Sequence, residues 1–89
     1  MSITFSLNPQ VSVAETDDGA VLLHERTGRY WQLNGTGLSV LRSLIGGETC
    51  EQAAQTLASE HAVPTTRARD DVAALLDSLR SADLLRENR

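Results

Sequence analysis

The sequence predicts an α+β domain, an N-terminal antiparallel three-stranded meander followed by three helices. Apolar residues alternate with a period of two in the first segments, run on at successive positions over Ala20–Leu23, and from Leu38 onward recur at three- and four-residue intervals. The switch falls in Gly28-Arg29-Tyr30-Trp31-Gln32-Leu33-Asn34-Gly35-Thr36-Gly37. Tyr30, Trp31 and Leu33 suit a pleated strand, and Thr27-Gly28 ahead of them suits a turn. Asn34 offers a side-chain oxygen to the first free N–H groups of a following helix.

Taken in order, Ile3, Phe5 and Leu7 alternate with Thr4 and Ser6, as in a half-buried strand that would add a further N-terminal member to the sheet. Pro9 ends it, because proline has no N–H to give to a ladder. Val11 and Val13 alternate with Ser12 and Ala14 in a second short strand. Asp17-Asp18-Gly19 is a hairpin signal. Ala20-Val21-Leu22-Leu23 is apolar at successive positions, which predicts a central strand covered on both faces. Glu25-Arg26-Thr27-Gly28 turns the chain, and Arg29–Leu33 is the last strand of the meander. That strand is an edge unless Ile3–Leu7 covers it.

Helices follow with no further strand expected. Leu38, Leu41, Leu44 and Ile45 share one helical face, and Gly46-Gly47 ends that helix. Thr49-Cys50-Glu51-Gln52 fits a capping box for the second helix. Its inner face is Ala54, Leu57, Ala58 and His61, and Val63-Pro64 breaks it. The third helix runs from about Thr66 to Ala82, with Ala68, Val72, Leu75, Leu76 and Leu79 as its apolar stripe. Arg67 with Asp71, and Asp77 with Arg80, are spaced as weak ion pairs on its polar side. Leu84 and Leu85 fold back onto the core.

The 89 residues make one domain, 1–89. A chain this short buries about 60–65% of its unfolded surface, enough for one modest core but few walls for a deep active site. Eight Lys+Arg against twelve Asp+Glu leave a net charge of −4, which argues against a nucleic-acid partner. One cysteine forms no internal disulfide, and no apolar run approaches the roughly 20 residues of a membrane span. A cytoplasmic domain with no membrane partner is expected.

No catalytic constellation is legible. Cys50 begins a helix, where a thiolate is favoured, but it lacks a His or Cys partner at a telling spacing and reads as an inert thiol. His24 and His61 are isolated and form no metal pattern. No nucleophile elbow surrounds any serine. The expectation is no enzyme activity, no metal and no cofactor.

An ordered set of residues does carry a resemblance. Leu22-Leu23-His24, Thr27-Gly28-Arg29-Tyr30-Trp31-Gln32-Leu33-Asn34, Gly46-Gly47, Asp71-Val72, Leu79 and Leu84-Leu85 resemble the PqqD-like family. These are leader-recognition elements of ribosomally made, post-translationally modified peptides. The Thr-Gly-Arg-Tyr-Trp…Leu-Asn run is most similar to standalone versions found beside lasso peptide leader peptidases. The likeness spans about Val11 to Leu85. Gly46-Gly47 stands where relatives often have Asp-Gly, a departure confined to a turn.

The resemblance implies a winged-helix-like fold and a leader peptide lying along the last strand, in a groove closed by the third helix. The residues it marks for peptide binding are Arg29, Tyr30, Trp31, Gln32, Leu33, Arg67, Asp70, Asp71, Ala74, Leu75 and Ser78. Trp31 and Leu33 alternate to one face of the strand and read equally as core; Tyr30, an apolar ring with a polar tip, is the better exposed contact. Leu75 belongs to the helix stripe, and Asp70 and Asp71 read also as complements to a helix dipole. The partners implied are a precursor leader peptide and a leader peptidase of papain or transglutaminase type, with an ATP-dependent macrolactam synthetase as a further candidate. Two other readings stay open: a winged-helix DNA binder, and a PqqD-like chaperone for a quinone-cofactor precursor working with a radical enzyme.

Overall fold

A computed structural model describes residues 3–88 of the chain. The meander forms as expected, from β2 (Val11–Thr16), β3 (Gly19–His24) and β4 (Tyr30–Asn34), in the order β2-β3-β4 with both pairings antiparallel. β1 (Thr4–Leu7) precedes it. The helices are α1 (Gly35–Ile45), α2 (Cys50–His61) and α3 (Thr65–Ser81), and β5 (Leu85–Asn88) closes the chain.

Asp17-Asp18 is the two-residue loop of the β2–β3 hairpin. Gly19 beyond it must be glycine, since a Cβ there would stand 1.9 Å from the Leu33 carbonyl oxygen of β4. The β3–β4 turn closes on a bulge. Gly28, at φ +75°, donates its N–H to the His24 carbonyl at 2.8 Å, and the His24 N–H reaches the Arg29 carbonyl at 2.8 Å. Gly28 and Arg29 thus oppose the single residue His24, with glycine in the left-handed position such a bulge requires.

The caps also form as read. Asn34 Oδ1 accepts from the Gly37 N–H at 2.8 Å and starts α1 directly from β4. Thr49 and Gln52 complete a reciprocal box, with Thr49 Oγ1 accepting from Gln52 N–H and Gln52 Oε1 from Thr49 N–H. Each such cap stabilises its helix by about 1 kcal/mol. Gly46-Gly47 follows α1, with Gly46 donating to the Arg42 carbonyl. The core lies between one face of the meander and the three helices, around Leu22, Leu41, Leu44, Leu57 and Leu79. Burying each of these side chains contributes about 1.5–3 kcal/mol.

Four expectations need correction. The helices are followed by a strand: β5 pairs antiparallel with β1, Leu7 opposite Leu85 and Thr4 opposite Asn88. Only Leu85 of its four residues is apolar, so no alternation marked it; Phe5 and Leu85 dip into the core and hold the ribbon there. β1 therefore covers β5 and leaves β4 free. Second, β3 is covered on one face only. Leu23 is exposed and Val21 half-buried, because α1 packs against the opposite face and no described helix covers this one. Third, Ile45 and His61, at the last positions of α1 and α2, point to solvent. Fourth, the ion pairs differ. Arg69 grips Glu51 of α2 at 2.6 Å, and Arg80 lies 3.9 Å from Glu87 of β5. Neither expected pair within α3 forms among the described residues.

Candidate functional site: the open edge of β4 and the face of α3

Hydrogen bonding in an antiparallel pair alternates along the strands. The bonded position His24–Arg29 sets the phase, so Trp31 and Leu33 direct their N–H and C=O groups at β3. Tyr30, Gln32 and Asn34 direct theirs away. No described strand pairs with that side of β4, so it offers a row of unpaired backbone donors and acceptors.

The wall beside this edge is α3. Positions 67, 71, 74, 78 and 81 are spaced four, three, four and three residues apart and share one face of the helix. Between this face and β4 lie two recesses. One, about 400 Å³, is bounded by Arg29 and Trp31 on the strand side and by Asp77, Ser78, Ser81 and Ala82 of α3 and its end. The other, about 300 Å³, is bounded by Asn34, Thr36, Gly37 and Val40, with Leu57, Asp71 and Leu75. The start of β4 thus faces the end of α3, and the end of β4 faces its middle. Five strand residues span about 16 Å, and the ten-residue step from Asp71 to Ser81 rises about 15 Å. The two walls match in length.

A third recess, about 190 Å³, continues past the start of β4 towards the bulge, between Thr27, Arg29, Tyr30 and Trp31 on one side and Ser81, Ala82, Asp83 and Leu84 on the other, with His24 also in its wall. On the opposite face of the sheet, Ser12, Ala14, Val21, Leu23 and Tyr30 border a shallow apolar depression of about 420 Å³, with Val13 at its rim. It is larger but lies away from the helix wall.

The family model described as "Coenzyme PQQ synthesis protein D (PqqD)" matches residues 19–85. The chain belongs to the PqqD family. Two solved structures are similar to this PqqD-family chain over most of its length. One, described as "Lasso peptide synthetase B1 complexed with the leader peptide", is 44% identical, covers 92% of this chain and 96% of its own, and superposes with a TM-score of 0.86. The other, "TbiB1 in Complex with the TbiA(beta) Leader Peptide", is 29% identical, covers 90% and 93%, and gives 0.81. No curated protein matches.

Within this PqqD fold, the residues singled out from sequence divide into groups. Trp31 is 39% exposed and stands in two of the three recesses beside β4, so it is a groove residue rather than a core one. Its strand position faces inward, opposite Leu22, but the edge leaves one side of the ring uncovered. Leu33 is 5% exposed and its side chain belongs to the core; only its neighbours offer outward backbone groups. Arg29, Asp71, Leu75 and Ser78 line recesses. Tyr30 is 72% exposed, and it and Gln32 project to the outer face of the sheet. Arg67 and Ala74 are exposed on the α3 face shared with Asp71 and Ser78, and Asp70 borders that face. Asp70 and Asp71 lie beyond the first turn of α3, too far in to complement its dipole strongly.

Sequence reasoning passed over Asp77, Ser81, Ala82, Thr36 and Gly37 as wall residues. Extending the Ser78 face by three and four positions would have found Ser81 and Ala82. At Cys50 the helix start does not favour a thiolate, in keeping with the inert thiol read from the sequence. Burial, then the nearby Glu87 carboxylate, push its thiol above the ordinary range, outweighing Arg80, so the thiolate is disfavoured. Among the described residues no cluster of His, Cys, Asp and Glu is arranged to hold a metal, and no helix is long and apolar enough to cross a membrane.

Proposed function

We propose that this chain is a non-catalytic binding module for the leader of a ribosomally made precursor of the lasso-peptide kind. The leader adds as a strand to β4 and is held there for maturation enzymes, first a leader peptidase and second an ATP-dependent macrolactam synthetase, in the cytoplasm. The observation that carries this is the open β4 edge facing the α3 wall at matched length. Two similar chains, both solved with leader peptides, support it.

The backbone supplies affinity without regard to sequence. Tyr30 and Gln32 each offer a donor and an acceptor, Asn34 offers its N–H while its carbonyl starts α1, and each bond formed contributes about 0.5–1.5 kcal/mol net. Selectivity comes from alternate leader side chains entering the recesses beside Trp31 and Leu75. Bound this way, the leader raises the concentration of its own cleavage site at a docked peptidase, a gain of effective concentration that needs no chemistry in this domain. A DNA-binding role fits poorly, because α3 balances Arg67, Arg69 and Arg80 against Asp70, Asp71 and Asp77, and Arg69 is committed to Glu51.

Trp31 is the single tryptophan of the chain, so its fluorescence reports directly on the groove. Titrating the precursor leader should shift that emission and saturate at one peptide per domain. Methylating leader amides one at a time should weaken binding with a period of two, since only alternate N–H groups face β4. An unchanged Trp31 emission at saturating leader, or a methylation profile without alternation, counts against strand addition.

A further inference from the structure

Asn8 lies between β1 and β2 and is 2% exposed, with every polar atom it carries engaged. Its N–H donates to the Leu84 carbonyl at 3.0 Å, and its carbonyl accepts from the Val11 N–H at 2.9 Å. Its Oδ1 accepts from the Gln10 N–H at 3.0 Å. Its Nδ2 donates to the Asp83 carbonyl at 2.9 Å and to Asp83 Oδ2 at 3.0 Å. The same Oδ2 lies 3.3 Å from His24 Nε2. A carboxylate only accepts, so the hydrogen in that contact is on Nε2. The 3.5 Å approach of Asn8 Nδ2 to Nε2 then sets two donors side by side and is not a bond.

Asp83 and His24, which Asn8 gathers, are each fixed to one wall of the groove. Asp83 follows α3, with its N–H on the Arg80 carbonyl at 3.0 Å, and it is held at φ +59°, a strained position for a non-glycine residue. His24 is tied to the turn before β4 by two bonds of 2.8 Å, donating to the Arg29 carbonyl and accepting from the Gly28 N–H. A continuous chain of hydrogen bonds therefore runs from the end of α3, through Asp83 and His24, to the start of β4. The gap needs such a tie, because α3 packs on α2 and β5, and recesses separate it from β4. An added strand sits about 4.8 Å from β4, so its side chains meet α3 at one gap width only. A gap already held at that width spares the cost of ordering it on binding. Asn8 is not among the residues that bound the recesses. We propose that Asn8 is a positioning residue for leader binding: by holding Asp83 against His24 it fixes the gap between α3 and the start of β4, without touching the leader. The proposal rests on the reading of β4 as the seat of the leader.

The test reads leader affinity by calorimetry on the full chain, well below its unfolding midpoint, so that lost stability does not pass for lost affinity. Asn8→Ala removes both donations to Asp83 and should weaken binding about threefold to tenfold. The clasp acts at one end of the groove, where Trp31 stands, while Leu75 stands at the other. The loss should therefore shrink to under about twofold in a Trp31→Ala background and stay whole in Leu75→Ala. Equal losses in all three backgrounds would mean general loosening and overturn the proposal, as would an Asn8→Ala chain that binds as tightly as the unaltered one. If Asn8→Ala does not fold, hydrogen exchange in the unaltered protein decides. Coupling is reciprocal, so bound leader should slow exchange of the Asn8 carboxamide hydrogens more than that of the Ala54 amide in α2. Slowing no greater than at Ala54 overturns the proposal. Leader-induced shifts of the Tyr30 and Gln32 amides test the edge reading by itself. If they move while Asn8→Ala binds as tightly as the unaltered chain, the clasp is wrong and the edge reading stands. If they do not move, the edge reading fails and takes the positioning role with it.

Discussion

β2 and β4 are the two outer strands of one sheet, and both present unpaired backbone groups. On β2 these belong to Val13 and Glu15, the phase being set by the Glu25 N–H bonding to the Gln10 carbonyl. On β4 they belong to Tyr30, Gln32 and Asn34. Backbone alone would make the edges equivalent. What differs is the second wall. β2 leans on β3, and its inward-facing Val13 stays exposed. β4 runs on into α1, buries Leu33, and has α3 beside it. β2 also carries the marks of a blunted edge, with Pro9 just before it and Glu15 engaged by Arg42 of α1. An unpaired edge supplies affinity for any extended chain, whereas a neighbouring helix supplies the recesses that choose among chains.

The comparison breaks first on stability. Leu33→Ala, which empties a core position, should cost about 2–5 kcal/mol of folding free energy in denaturant titration. Val13→Ala, at an inward position of the exposed strand, should cost under about 1 kcal/mol. Comparable losses would mean that β2 is as anchored as β4.

Next comes the backbone. Gln32→Pro removes an outward N–H of β4 without removing a bond to β3, and its ring intrudes where the leader would lie. Leader affinity should fall by about 2 kcal/mol or more in calorimetry, while Val13→Pro, the same change on β2, should leave it within about 0.5 kcal/mol. A loss of affinity confined to the β2 variant would move the site to the other edge.

Side chains of the groove follow. Trp31→Ala should weaken leader binding by about 2 kcal/mol, as aromatic anchors in interface recesses commonly do, and should lower stability less than Leu33→Ala. The smallest effect is expected at Tyr30, which is mostly exposed. Tyr30→Ala should cost about 1 kcal/mol of leader affinity and leave the unfolding midpoint nearly unchanged. A large stability loss at Tyr30 would show that the outer face of the sheet is packed in solution.

What the sequence determined by itself was local. The hairpin at Asp17-Asp18, the helix start at Asn34, the capping box at Thr49 and Gln52, and the stop at Gly46-Gly47 each act within a few residues. They stand where composition and spacing put them. The stripe of α3 and the order of the meander followed from periodicity, and an ordered set of residues from Leu22 to Leu85 pointed to the family. Tertiary structure decided everything that joins distant positions. β5 exists because Leu85 reaches the core and β1 accepts it as a partner, with Asn88 bonding to Ser6 across 82 positions. Leu23 and Trp31 are apolar, yet exposed, because the helices cover one face of the sheet and stop short of its edge. His24 looked isolated along the chain, but Asn8 lies 16 positions away and Asp83 59, and folding sets all three within hydrogen-bond range. Propensity and capping are short-range and leave their mark in neighbouring residues. Exposure and strand partnership depend on where the rest of the chain comes to lie, and no local pattern records that.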